Sequence, residues 1–411
     1  MRVCVTTEQR FACTPDKQVW APAGPAYAFW SRYLEVFDEV LVIARIADVA
    51  VAEPAWKRAG GPGVAFAKAP YYVGAAAYLT KCFQVRSAVR KAVSEADAVV
   101  IRGTSVLTAS LESSFAAGRP FGLEVIGDPY DVFAPGSVQH PLRPALRWWL
   151  TRKLKRECEK ACAVAYVTQA MLQKRYPAGK AAFETSYSSI ELPEQAFVKA
   201  PRSFGLELDP VKMVTVGSLE QMYKGFDVLI DAAATCRGWS TKVELVIIGE
   251  GRCRPKLEQQ VRDRGLGQNV RFTGQVQARS RIVELFDSAD LFVLPSKTEG
   301  LPRAMIEAMA RALPCVGTAV GGIPELLSHE NLVPRGDALA LARKMEEVVR
   351  EPGRMGKMAA NNLETARRYC DSVLGPRRRE FLQHLRRATQ DWTCRLKTDR
   401  STPIIKVLHP S

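Results

Sequence analysis

Glu299 and Glu307 are, by type and spacing, the residues of this chain best suited to act on one shared ligand. They lie in Ser296 to Glu325, SKTEGLPRAMIEAMARALPCVGTAVGGIPE. The apolar run Leu291 to Leu294 before it reads as a buried parallel strand, and Pro302 suits the first residue of a helix running to about Leu313. The strand thus empties through Glu299, Gly300 and Leu301 into a helix N-terminus. Unpaired backbone amides and the positive end of the helix dipole there favour a diphosphate. Glu299 falls on the strand-end loop and Glu307 more than a turn inside the helix, so the acids can hold hydroxyls while the amides hold phosphate. An ordinary reading also exists: Arg303 and Glu307, four apart, can form a surface pair worth about 0.3 kcal/mol, with Glu299 a plain loop acid.

Upstream, the strand-like MVTVG (Met213 to Gly217) runs into SLEQMYKGFDVLIDA, with Lys224 and Gly225 opening a helix. A lysine beside a strand-end loop can neutralise charge developing on a leaving nucleotide diphosphate. Glycines after later strands, in IIGEG (Ile247 to Gly251) and FTGQV (Phe272 to Val276), allow close backbone approach to a ligand, as weak signals. Gly321 and Gly322 read as a tight strand-to-helix turn, and Glu325 as a first-turn helix acid.

Two acids separated by seven residues within EGLPRAMIEAMA, followed by LPCVGTAVGGIPE and preceded by VG, six residues and KG, resemble the signature of retaining glycosyltransferases of family 4, the glycosyl transferases group 1. The resemblance covers the second half by motif and the first half by architecture. It implies a GT-B fold and transfer of a sugar from a UDP or GDP sugar to an acceptor hydroxyl. Lys224 would hold the phosphates, with Gly217, Ser218, Gly249, Gly300, Leu301 and Arg303 around the donor. Val276 would meet the base, Glu307 the ribose and Glu299 the sugar. No cofactor and no metal is implied, because Lys224 and helix amides balance the diphosphate, and the leaving phosphate itself takes the acceptor proton. The family commonly places arginine where this chain has Ser218, which leaves Arg252, Arg254 or Arg303 as replacement cations. Ala312 stands where a helix-ending glycine is frequent, and an alanine in the left-handed region costs roughly 1 kcal/mol.

These loops need strands and helices to carry them. At 411 residues the chain exceeds one compact core, which stops growing at roughly 250 to 300 residues, and points to two domains. In the first half, strands are predicted at Arg2 to Thr7, Val40 to Ile46, Val64 to Ala67, Ala98 to Ile101, Phe121 to Val125 and Ala163 to Thr168. Helices are predicted at Ala26 to Phe37, Tyr78 to Ala96, Val106 to Ala117 and Gln169 to Arg175, with a long loop from Glu8 to Pro25. The alternation restarts with strands at Met213, Val243, Val270, Leu291 and Cys315. The expected architecture is therefore α/β, with two Rossmann-like doubly wound parallel sheets facing across a cleft. The divisions are residues 1–190 for an acceptor domain, 191–208 for a linker, 209–375 for a donor domain and 376–411 for a basic helix and tail. By the resemblance, that tail crosses back to the first domain.

The composition, 47% hydrophobic and 25% charged, is that of a globular protein, and the net charge of +15 calls for an acidic partner. A glycan or lipid-linked acceptor of a bacterial surface polysaccharide and an anionic membrane surface both fit. Beyond net charge no nucleic-acid motif is present. The first ten residues lack a signal-peptide core, and no stretch approaches the roughly 18 apolar residues that cross a bilayer. A cytoplasmic protein, peripheral on the inner membrane face, is expected. Ten cysteines without paired spacing read as reduced structural thiols.

The first half carries weaker chemical signals. His140, its sole histidine, reads as a loop residue. Asp128, ending PFGLEVIGD, can meet an acceptor hydroxyl as a catalytic residue or cap the following turn. In Leu142 to Cys162, Leu146, Trp149, Leu150 and Leu154 share one helical face, ringed by Arg147, Arg152, Lys153, Lys155 and Arg156. That helix either covers its own sheet or lies at a membrane interface through Trp148 and Trp149. A sugar-nucleotide epimerase of the same architecture and a non-catalytic membrane-associated binding protein are the alternatives. The first lacks acid and base groups around the sugar, and the second has no use for an intact Lys224, Glu299 and Glu307.

Overall fold

The protein is described from a computed structural model covering residues 1–401 except 106, 112–114, 116–117, 136–140, 206–207 and 239–241. The first half forms β1 (Arg2–Cys13), β2 (Val19–Ala21), β3 (Glu39–Asp48), β4 (Lys57–Arg58), β5 (Val64–Ala69), β6 (Ala98–Arg102), β7 (Gly122–Val125), β8 (Ala163–Tyr166) and β9 (Phe183–Ser186). Seven of these run parallel in the order β5-β3-β1-β6-β7-β8-β9, and β2 and β4 extend the end of β1 as antiparallel strands. The second half forms β10 (Val211–Val216), β11 (Val243–Ile248), β12 (Val270–Gly274), β13 (Leu291–Leu294), β14 (Cys315–Thr318) and β15 (Leu332–Val333). Their order, β12-β11-β10-β13-β14-β15, is parallel throughout. Both sheets therefore reverse strand order beside their first strand, and ligands of such sheets bind at that switch point, outside the carboxyl ends of the strands. The fold is GT-B, two parallel sheets each sandwiched by helices.

Strand alternation sends residues to opposite faces of the first sheet. Cys4, Ile43, Val99, Ile101, Leu123 and Val164 pack under helices Gly74–Ser94 and Arg143–Lys160. Val3, Val5, Val42, Val100 and Ala163 face Trp30, Tyr33 and Phe37. The same face takes Phe381, Leu382 and Leu385 from the last helix, Asp371–Ser401, which lies against β6 to β9. Gly122 makes room for that helix, since a Cβ there would sit 2.8 Å from Phe381. Where the chain passes between the halves, Leu192 and Asp371 exchange two hydrogen bonds, so both crossings run side by side.

Several first-half expectations are corrected. The predicted loop Glu8 to Pro25 contains the end of β1 and all of β2; its TEQR start is polar, and a register shift between Thr6 and Arg10 breaks the alternation that marks a strand. The helix predicted from Ala26 to Phe37 is one helical turn, Tyr27–Trp30, continued as 3-10 helix over Ser31–Glu35. The helix predicted at Val106 to Ala117 begins as 3-10 structure at Leu107–Leu111, and much of its remainder lies outside the described residues, as does His140. Pro302 caps rather than starts its helix, which runs Arg303–Ala310. Ala312 does adopt a left-handed φ of +53°. All ten cysteines are free, and burial pushes the Cys158 and Cys162 thiols up to about 12.

Candidate active site

β10 and β13 lie side by side at the switch point of the second sheet, with Met213 paired to Leu291, so the loops that follow them meet. A glycine permits the closest approach. Gly225, at φ +71°, lets the turn Met222–Lys224 lie on the end of β13, where any Cβ would fall 2.0 Å from the Pro295 carbonyl oxygen. Lys297 holds the two loops together, its amide donating to the Tyr223 carbonyl at 2.7 Å and its ammonium to Asp227 at 2.7 Å.

Lys224 Nζ consequently reaches Glu299, donating to Oε1 at 2.5 Å. The same oxygen accepts the Ser296 hydroxyl at 2.7 Å, and the Ser296 carbonyl in turn accepts the Thr318 hydroxyl at 2.6 Å. The Glu299 side chain is only 8% exposed and that of Lys224 15%, so this ion pair is shielded from bulk water. A buried, hydrogen-bonded charge pair is held in one geometry, which a preorganised electrostatic site requires.

Between the two sheets lies a cavity of about 610 Å³, whose second-domain wall includes Glu299, Gly300, Leu301, Arg303 and Glu307. Its first-domain wall includes Phe29, Arg102 and Ile126. The domains touch here through backbone: a Cβ on Gly300 would lie 2.6 Å from the Ile126 carbonyl oxygen.

Residues 210–351 match the family described as Glycosyl transferases group 1. Protein CapJ of Staphylococcus aureus is 26% identical over 326 residues, 78% of this chain and 80% of that one. The amylovoran biosynthesis glycosyltransferase AmsK of Erwinia amylovora is 36% identical over 156 residues, 34% of this chain and 38% of that protein. Over residues 210–351 the chain is thus of the group 1 glycosyltransferase type. Among solved structures, sucrose-phosphate synthase from Thermosynechococcus elongatus superposes with a TM-score of 0.70 at 17% identity, covering 94% of this chain and 100% of that one. Anabaena HepE gives 0.62 at 18%, covering 97% and 100%. At such identities these two likenesses concern the fold.

The sequence-predicted residues divide into three groups. Glu299, Gly300, Leu301, Arg303 and Glu307 share the cavity wall, and Lys224 joins them through Glu299. Gly217 and Gly249 form the layer behind Lys224: a Cβ on Gly217 would lie 3.1 Å from Lys224 Cγ, and one on Gly249 only 1.9 Å from the Gly217 carbonyl oxygen. Ser218 and Val276 stand apart from the cavity. The Ser218 hydroxyl accepts its own loop's Glu220 amide at 3.2 Å, and Val276 packs half-buried against the core.

The three candidate arginines differ in their surroundings. Arg254 is committed to Glu250 and Glu258, at 2.6 and 2.8 Å, and Arg252 donates to the Glu220 carbonyl at 2.7 Å. Arg303 lines the cavity and makes no ion pair among the described residues. Glu307, opposite in charge and one turn on, likewise has no hydrogen-bond partner among them. Burial pushes its carboxyl above the usual glutamate value, against the opposing pull of Arg303 and Arg279.

Of the two roles expected of Asp128, the structure displays the cap. It is 1% exposed and caps the turn Pro129–Val132 by accepting the Tyr130 amide at 2.9 Å. Its carboxylate also accepts the Tyr176 hydroxyl at 2.5 Å and pairs with Arg175, so its described bonds all run within its own domain. Arg102 was missed by the sequence reading. It ends β6, beside β1 at the first sheet's own switch point, and pairs with Glu124, which also accepts the Tyr33 and Tyr187 hydroxyls at 2.8 and 2.9 Å. Locating that switch point in the strand order would have pointed to it.

Proposed function

We propose that this glycosyltransferase moves a sugar from a UDP or GDP sugar to an acceptor hydroxyl with retention, as a family 4 enzyme, without metal or cofactor. The reading rests on the Lys224–Glu299 pair at the switch point, beside an open Glu307. Lys224, backbone amides at Gly300 and Leu301 and the Arg303 guanidinium supply the positive charge that a diphosphate draws. Glu307 accepts from the ribose hydroxyls and Glu299 from the sugar. As the bond from the anomeric carbon to phosphate oxygen breaks, the acceptor oxygen bonds to that carbon from the same face. Its proton passes to the departing phosphate oxygen, so no protein base is required. A uridine donor is favoured by HepE, whose solved forms hold UDP with glucose and UDP-glucose.

Incubation with labelled nucleotide sugars and acceptor in excess EDTA tests this reading. Transfer is expected; interconversion of the free nucleotide sugar would mark an epimerase, and neither reaction a binding protein. Loss in EDTA restored by magnesium would overturn the metal-free part.

Donor affinity should depend on pH through Glu307. Because its carboxyl is raised by burial, it protonates at a higher pH than a solvated glutamate, which titrates near about 4.3. The neutral form is a poorer acceptor, so nucleotide Kd should weaken as pH falls through that raised value. Glu307→Gln should bind weakly with a flat profile in titration calorimetry. Fold stability runs oppositely, since a raised carboxyl gains stability as pH falls through its folded-state value.

We also propose an anionic membrane surface as a partner, with a lipid-linked glycan of a surface polysaccharide as acceptor. AmsK is named for amylovoran biosynthesis, and WcaL of Escherichia coli as a putative colanic acid biosynthesis glycosyltransferase. Helices Gly74–Ser94 and Arg143–Lys160 cover the same sheet face, and their outer sides expose Leu79, Phe83, Trp148 and Trp149. A groove of about 440 Å³ beside Trp148 is walled by Tyr130, Arg143, Arg147, Arg152 and Lys155, with no acidic side chain among the described residues lining it. No described helix is long and apolar enough to cross a bilayer.

A further inference from the structure

We infer that Glu325 is a positioning residue for sugar transfer, a clasp from the second domain that closes on three consecutive backbone amides of the first; the inference builds on the proposed transfer reaction. Glu325 Oε2 accepts the Gln169 amide at 2.6 Å, and Oε1 accepts the Ala170 and Met171 amides at 3.0 and 2.7 Å. Gln169 to Met171 follow β8 of the first sheet, whereas Glu325 ends the turn Ile323–Glu325 after β14 of the second. A first-turn acid serving its own element would bond amides of that element. This one is bonded to the opposite domain.

Both ends of the clasp are rigid. On the second-domain side, the Gly322 amide donates to the Gly300 carbonyl at 2.6 Å. Gly321, at φ +54°, comes so near Glu299 that a Cβ would fall 2.1 Å from the Glu299 carbonyl oxygen. The turn bearing Glu325 therefore moves with the loop bearing Glu299 and Gly300. On the first-domain side, Thr168 is fully buried and its hydroxyl accepts the Leu172 amide at 3.1 Å, fixing the segment that offers the three amides. The adjoining Val167 and Ile126 both line the cavity. One carboxylate thus sets how far the donor-holding loop stands from the acceptor wall.

The chemistry suits a reversible clasp. A carboxylate taking three N–H bonds is charge-assisted, yet on separation water can solvate both partners. Besides the chain crossings at Leu192 and Asp371, contacts of this kind decide whether a two-domain cleft stands closed, and interdomain surfaces within a chain move by default.

The test compares wild type with Glu325→Ala and the isosteric Glu325→Gln in three measurements. In hydrogen exchange, the amides of Gln169, Ala170 and Met171 should exchange at least tenfold faster in Glu325→Ala, with Glu325→Gln between. In the transfer assay, kcat should fall about tenfold or more in Glu325→Ala and less in Glu325→Gln. Binding of the released nucleotide, UDP or GDP, should stay within about twofold by calorimetry, because the donor residues lie wholly in the second domain. Unchanged exchange, unchanged kcat, or a nucleotide affinity that falls in step with kcat would each overturn the clasp. If Glu325→Ala does not fold, Glu325→Gln is read alone against the same criteria. A wild type that transfers no sugar would refute the proposed function, whereas hydrogen exchange reads the clasp by itself.

Discussion

Replacing Lys224 with alanine should lower turnover by about a hundredfold or more, because one preorganised charge stabiliser is worth roughly 3 kcal/mol of barrier. The structure adds a control that the reaction alone would not suggest. Lys224 is bonded at 2.5 Å to Glu299, so its removal leaves an acid that is 8% exposed with the Ser296 hydroxyl as its remaining side-chain hydrogen-bond donor among the described residues. Such an orphaned buried charge costs about 3 kcal/mol or more of stability, and lost folding must not be mistaken for lost catalysis. Turnover should therefore be measured beside denaturant unfolding for Lys224→Ala, Glu299→Gln and the double variant. Neutralising Glu299 in the Lys224→Ala background should restore much of the stability and none of the turnover. Near-normal turnover in a folded Lys224→Ala protein would remove Lys224 from the mechanism.

Legibility in the sequence followed the physics of each element. The second half could be read because its central strands are short and buried on both faces: Leu291 to Leu294 and Cys315 to Thr318 stand where the strand pattern put them. That Glu299 and Glu307 share one cavity could be read because their spacing is local, one loop and one helix turn. The first half hid what is not local. β1 is interrupted by polar TEQR at a register shift, after which Arg10 to Cys13 pair with Arg45 to Asp48 of β3, and no pattern within twelve residues announces that partner. Asp128 looked catalytic because a strand-end acid beside a proline is equally a ligand or a cap; Tyr176 and Arg175, 48 and 47 positions away, decide for the cap. Glu325 was read as an acid of its own turn, since the amides it binds lie more than 150 residues earlier. Lys153 was placed among the outward cations, yet it is 2% exposed, pairs with Glu157 and donates to the Thr108 hydroxyl at 2.9 Å.

The burial of Lys153 bears on where the protein works, because it leaves the outer face of its helix to other cations. Helix Arg143–Lys160 buries Leu150, Leu154 and Cys158 against the sheet and leaves Trp148 65% and Trp149 36% exposed, so it both covers its sheet and presents an aromatic outer face. Arg152, Lys155 and Arg156 are exposed on the same helix, Arg152 lying 5.8 Å from the Trp148 ring centre. Phe83, 81% exposed, stands with Arg86 and Arg90 on the neighbouring helix over the same sheet face. The protein should therefore sediment with anionic vesicles at low salt and poorly with neutral ones. It should release as added salt shortens the Debye length from about 10 Å at 0.1 M to 3 Å at 1 M. Each cation near an anionic leaflet contributes about 1 kcal/mol, so exchanging Arg152, Lys155 and Arg156 for glutamine should weaken partitioning by about a hundredfold. Trp148→Ala and Phe83→Ala should weaken it further by removing rings that sit at headgroup depth. Lys153→Gln separates the two roles of the helix: it should lower thermal stability by removing the buried Lys153–Glu157 ion pair while leaving vesicle binding intact in the folded fraction. Equal sedimentation of the triple variant and wild type, or equal binding to neutral vesicles, would assign the +15 charge to another partner.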